Sequence, residues 1–156
     1  MAVTLMSALG IARREAFLAV VTTIRPDGSI HASVVNAGPV AHPISGAPML
    51  AYVTYGKVKL ANLRQRSTAS LTFRSGWNWA TVEGDGELIG PDDPHPGVDP
   101  ERLRLLLREI FTGAGGHHDD WETYDRTMAD ERRTAVLIDP RRVYGNVASE
   151  EPEDLT

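Results

Sequence analysis

The chain has 156 residues, a formal net charge of −5 and no cysteine. That length suits one domain whose core is large enough to stand without cross-links, and the missing cysteines exclude disulfides, thiolate metal sites and a cysteine nucleophile. The acidic total argues against nonspecific nucleic-acid binding, the apolar runs are too short for a membrane-spanning helix, and the first residues lack the order of a secretory signal, so no nucleic acid or membrane partner and a cytoplasmic location are expected.

The predicted elements follow in chain order. Residues 7–18 place Leu9, Ile11, Ala12, Ala16 and Phe17 near helical spacing, with Arg13, Arg14 and Glu15 opposite, which predicts a short amphipathic helix. Residues 19–24 and 30–36 are extended and separated by Arg25-Pro26-Asp27-Gly28, a turn sequence, so they predict a hairpin. The stretch 38–48 is rich in glycine and proline and is expected to be a loop. A strand over 49–54 and a short helix over 57–65 follow. Strands over 68–74 and 77–89 flank Ser75-Gly76 and are expected to pair across a tight turn, with Gly84 and Gly86 marking a bend or bulge.

Residues 100–111 carry Leu103, Leu106, Leu107 and Ile110 on one helical face. A further helix is expected from Asp119, as cap, to about Glu131, with Glu122 closing a capping box. A last strand over 134–138 is expected to be interrupted at Asp139-Pro140 before extended structure resumes. Six strands at such spacings predict a mainly β fold with added helices, in one domain over 1–147, followed by an acidic flexible tail over 148–156.

The charges are unevenly placed. The only two lysines are Lys57 and Lys59, Arg64 and Arg66 follow closely, and no acidic residue occurs between Asp27 and Glu83. A strand ending at Thr54 that opens a helix at Lys57 sets cations and free amides at a helix N-terminus, which favours phosphate; a solvated basic helix face fits the same pattern. Among other residues, "HHDD" (His117 to Asp120) is better explained by a helix start than by a metal site, and no metal is expected. His31 and His42 are possible proton donors or structural histidines. Trp77 and Trp79 share a strand face that suits an interface or a ring-stacking wall. Serine-hydrolase elbows, the dinucleotide fingerprint and the Walker loop are absent from the sequence.

The order of "VVTTIRPDGSIHASVVN", "MLAYVT", "KVKLANLRQRSTASLTF", "GWNWATVEGDGELI" and "GGHHDDWETYDRTMADERRTAVLIDPRRVYG" resembles the split β-barrel flavin and deazaflavin oxidoreductases. These are relatives of pyridoxamine 5'-phosphate oxidase, and the closing segment is most similar to the actinobacterial group that binds coenzyme F420. The resemblance implies a six-stranded antiparallel split β-barrel and a homodimer with cofactors in grooves at the subunit interface. It implies that Lys57, Lys59 and Asn62 belong to a phosphate-gripping element, and that Tyr52, Val53 and Thr54 offer backbone groups and a hydroxyl to the phosphate or ring. Val34, Val35 and Asn36 would line the ring, and Trp77 would approach from the partner subunit. Arg64 and Arg66 would suit the carboxylates of a deazaflavin tail.

The function expected on this basis is hydride transfer from reduced F420 to a small unsaturated or heteroaromatic acceptor. FMN-dependent oxidation or reduction, and non-enzymatic binding of a flavin, deazaflavin or haem-related pigment, are the competing expectations. No side chain is assigned a catalytic role, because hydride transfer needs proximity and alignment rather than a nucleophile.

Overall fold

Thr4 sets the start of the first helix, α1 (Leu5–Arg14). Its hydroxyl accepts from Ser7 N and the Ser7 hydroxyl accepts from Thr4 N, closing two amides that the helix leaves open. The helix ends earlier than expected because Ala16 and Phe17 take left-handed backbone, at φ 54° and 58°, and swing the chain into β1 (Leu18–Ile24). Here a computed structural model describes residues 2–147; the acidic tail expected over 148–156 lies outside them.

β1 and β2 (Ile30–Asn36) form the expected hairpin, in register from Leu18 opposite Asn36 to Ile24 opposite Ile30. Gly28 takes φ 85° in its turn, and Asp27 accepts from both the amide and the hydroxyl of Ser29. The 38–48 stretch departs from expectation: its start is a strand, β3 (Gly38–Ala41), paired with β4 (Pro48–Thr54). A Cβ on Gly38 would collide with the Gly113 carbonyl, and Pro39 is tolerated because β3 is a sheet edge. The residues that read as a loop serve a closely approached edge strand.

Next come α2 (Lys57–Gln65), β5 (Thr68–Ser75) and β6 (Asn78–Ile89), the two strands closing through Gly76 at φ 59°. Helix α3 (Pro100–Gly113) is capped by Asp99, which accepts from Arg102 N, and has proline in its first turn. Helix α4 (Trp121–Asp130) is capped by Asp120 rather than Asp119, and Thr123 rather than Glu122 completes the contact. The last strand, β7 (Thr134–Gly145), is continuous. The expected interruption is instead a bulge: Gly84 pairs with Pro140 while Glu83 pairs with Arg142, leaving Arg141 as the extra residue. A Cβ on Gly84 would collide with the Asp139 carbonyl, so glycine is required opposite the proline.

The strands form one antiparallel sheet of seven, in the order β2-β1-β5-β6-β7-β4-β3, against the six expected. The edges β2 and β3 do not pair, so the barrel is open, although the sheet curls enough to bring β2 near β4. Side chains of β4 and β7 alternate between two cores, as the pleat demands. Leu50, Tyr52, Val136 and Ile138 enter the core closed by α1 and α2, while Met49, Ala51, Ala135 and Leu137 enter the one beneath α3 and α4. Among the described residues no helix is long and apolar enough to cross a membrane.

Candidate functional site

Only Tyr55 and Gly56 separate the end of β4 from the start of α2. Gly56 is the N-cap and offers no side-chain cap, so the first-turn amides of α2 lack one of the usual acceptors. A Cβ at Gly56 would meet Lys59 Nζ at 2.8 Å and Thr54 Oγ1 at 3.2 Å, so the glycine keeps a small cradle open. The Thr54 hydroxyl accepts from Gly56 N at 2.9 Å, and Lys59 Nζ donates to Ser33 Oγ of β2 at 3.1 Å. An ammonium, a hydroxyl and the positive end of a helix dipole thus converge. Asn62 is buried and donates from Nδ2 to Thr23 Oγ1 at 3.0 Å, which ties α2 to β1 and fixes the turn that carries Lys59.

This corner opens into a cavity of about 700 Å³. Val34, Val35 and Asn36 of β2 form one wall, Val53 and Thr54 of β4 another, and Phe111, Tyr124 and Met128 of α3 and α4 a third. Lys59 and Arg133 are the charged residues in its lining, which contains no carboxylate. The Arg133 guanidinium lies 3.9 Å from the centroid of the Tyr55 ring and its Nε donates to Glu131 Oε2 at 2.6 Å. Asn36 Nδ2 donates to the carbonyl of Ala16 at 2.7 Å, which leaves Oδ1 as its acceptor.

Six of the residues singled out in the sequence therefore share the cavity: Val34, Val35, Asn36, Val53, Thr54 and Lys59. Lys57, Asn62, Tyr52 and Trp77 do not line it, and neither do Arg64 and Arg66. Lys57 is exposed, Asn62 faces Thr23, and Tyr52 is fully buried, with a hydroxyl that has no hydrogen-bond partner among the described residues and a phenol pushed upward by burial. Trp77 is 93% exposed in the β5–β6 turn. Arg64 is engaged elsewhere, donating from Nε and a terminal nitrogen to Asp93 at 2.8 and 2.7 Å. Neither Tyr55 nor Arg133 stands out in the sequence. Thr54 pairs with Thr134, so the residues just beyond that pair meet, and only the β4–β7 register would have revealed it.

The aromatic wall is braced from outside. Asp125 of α4 binds both Arg104 and Arg108 of α3, and the Arg108 hydrogen bond, followed by that of Arg104, holds its carboxyl below the ordinary value. Asp120 and His118 organise the start of α4: the His118 Nδ1 accepts from Asp120 N at 3.0 Å and its ring meets Phe111, Trp121 and Tyr124. Among the described residues no group of three or more histidines and carboxylates is arranged to hold a metal. His42 lies outside the cavity, with Nε2 2.8 Å from Glu87 and Nδ1 accepting the amides of Ile44 and Ser45. His31 also lies outside it, and its buried Nδ1 has no partner among the described residues.

No family model and no curated protein matches this sequence. Solved structures do match. A pyridoxamine 5'-phosphate oxidase-related, FMN binding protein from Nostoc punctiforme aligns with a TM-score of 0.60 at 17% identity, over 92% of this chain and 84% of the other. A conserved hypothetical protein from Mycobacterium tuberculosis, Rv2991, aligns at 0.64 and 19%, over 93% and 85%. An F420 reductase aligns at 0.56 and 12%, over 83% and 90%. The chain has the fold of the split-barrel proteins related to pyridoxamine 5'-phosphate oxidase.

Proposed function

We propose that this chain is an oxidoreductase of the flavin and deazaflavin kind, with coenzyme F420 as cofactor, reducing a small unsaturated or heteroaromatic acceptor. The observation that carries the reading is the acid-free cavity entered by the uncapped N-terminus of α2, where glycine at position 56 lets the Lys59 ammonium and the Thr54 hydroxyl converge, a chemistry that suits a phosphate. Such a cofactor supplies a hydride when bound. The chain's part is to grip its phosphate at Lys59 and the α2 amides, to present the Asn36 Oδ1 acceptor to a ring N–H, and to keep water out with Val35, Val53, Phe111 and Met128. The deazaflavin is placed first on the resemblance of the closing segment. FMN is the second reading, supported by the fold shared with the FMN binding Nostoc protein.

The working unit in this reading is a homodimer. The outer face of β1 and β2 exposes Leu18, Val20, Ile30 and Val34 at 47%, 42%, 65% and 63%. Contiguous apolar area of this kind marks an association surface. Val34 lies on this face and also lines the cavity, so a second copy placed there would complete the cofactor groove. The test is a side-by-side fluorescence titration of the purified protein with F420 and FMN. Preference for F420 is expected; preference for FMN moves the chain to the second reading, and binding of neither overturns both.

A further inference from the structure

A second cavity, of about 410 Å³, lies beneath α3, α4 and the 90–98 segment. Ile89, Pro91, Pro94, Val98, Leu103 and Leu107 give it an apolar lining. Its polar rim is already occupied by the protein. Asp99 caps α3, Asp125 is held by Arg104 and Arg108, Arg133 binds Glu131 and stacks on Tyr55, and His95 Nδ1 accepts from Gly97 N. A charged ligand would find no free partner in this rim, whereas a neutral apolar one would displace only water.

The cavity is built rather than incidental. Its outer wall is pinned by Arg64 to Asp93, by Arg132 to Asp92, and by backbone bonds between Gly90 and Asp93. It also adjoins the main cavity, because Met128 and Arg133 line both. Methionine, unbranched and with three rotatable bonds, is an adaptable divider. We propose that this second cavity receives the neutral, apolar arm of the acceptor while the reacting end stays in the main cavity. The word acceptor rests on the oxidoreductase reading; the preference for a neutral apolar group rests on the lining alone.

The probe is N-phenyl-1-naphthylamine, a neutral apolar dye whose fluorescence rises out of water. Ala129 lines the cavity from the exposed side of α4, so Ala129→Trp fills the space at a position where the fold tolerates bulk. The dye is expected to bind the native protein, to bind Ala129→Trp about tenfold more weakly or worse, and to bind Thr127→Trp, an exposed α4 position outside both linings, as before. Val98→Trp fills the opposite wall and gives the same reading if Ala129→Trp does not fold. Unchanged dye affinity in the filled variants, or displacement of the dye by saturating F420 or FMN, overturns the apolar site. With the cofactor that binds, Ala129→Trp should raise KM for an electron-poor alkene bearing a phenyl arm and leave KM for the unsubstituted alkene unchanged; an equal change for both overturns the acceptor assignment. If neither cofactor binds but the dye result holds, the oxidoreductase reading and the acceptor assignment fall together while the apolar site stands.

Discussion

Lys57 and Lys59 sit two residues apart, yet the fold gives them different work. Lys59 is half-buried against Ser33 at the cavity corner, whereas Lys57 is exposed and outside the lining. A charge-assisted contact to phosphate contributes about 1.5–3 kcal/mol, so Lys59→Ala should weaken cofactor binding roughly 10- to 150-fold in a fluorescence titration. Lys57→Ala, a solvated charge, should cost less than about 1 kcal/mol. Equal effects from both would return the pair to the basic-face reading. Asn62 acts at one remove. Replacing it with alanine leaves the buried Thr23 hydroxyl without its donor, and a loss of about 1–3 kcal/mol in urea unfolding is expected. A loss of cofactor affinity should accompany it, since the tie that places α2 is gone.

At the scale of elements, legibility follows the range of the interactions that decide each one. The β1–β2 hairpin, the β5–β6 pair and α3 are readable because Pro26-Asp27-Gly28, Ser75-Gly76 and the helical spacing of Leu103, Leu106, Leu107 and Ile110 act within a few residues, whereas the Asp99 cap of α3 emerges only from the structure. Strand β3 is not readable in this way, because its glycine and proline answer to Gly113 and to a sheet edge far along the chain. The continuity of β7 depends in the same way on Gly84 of another strand. The placing of Thr54 and Lys59 at the β4–α2 corner is decided locally and is legible; the aromatic wall and Arg133 are brought there by tertiary packing and are not. That wall has an electrostatic brace with a pH signature. Asp125 is held below its ordinary value of 3.8, first by Arg108 and then by Arg104. A carboxyl depressed in the folded state contributes stability that is present above its unfolded value and lost as pH falls through the folded one. Thermal melts from pH 7 down to pH 2 should therefore show the native protein losing the α3–α4 contribution below about pH 4, while Asp125→Asn starts less stable and falls less steeply. Parallel curves for the two proteins would remove Asp125 from the account.

For the whole molecule, the deciding question is whether one chain is enough. The cavity wall at β2 continues onto the exposed apolar face, and Val20 lies within that face, opposite Val34 on one side and Thr72 on the other. Trp79 and Tyr144, packed edge to face with centroids 6.1 Å apart, extend exposed aromatic surface along the same sheet. Val20→Glu puts a charge into this surface without touching either core, so the monomer should remain folded by circular dichroism while sedimentation shows the dimer lost. Cofactor affinity should fall in the same variant, because the groove would lose the wall supplied by the second copy. A folded variant that stays dimeric places the interface elsewhere, and a wild-type protein that sediments as a monomer removes it. A monomeric variant that still binds cofactor with native affinity would mean that Lys59, Asn36 and the aromatic wall of a single chain complete the site, and the apolar face would then serve association alone.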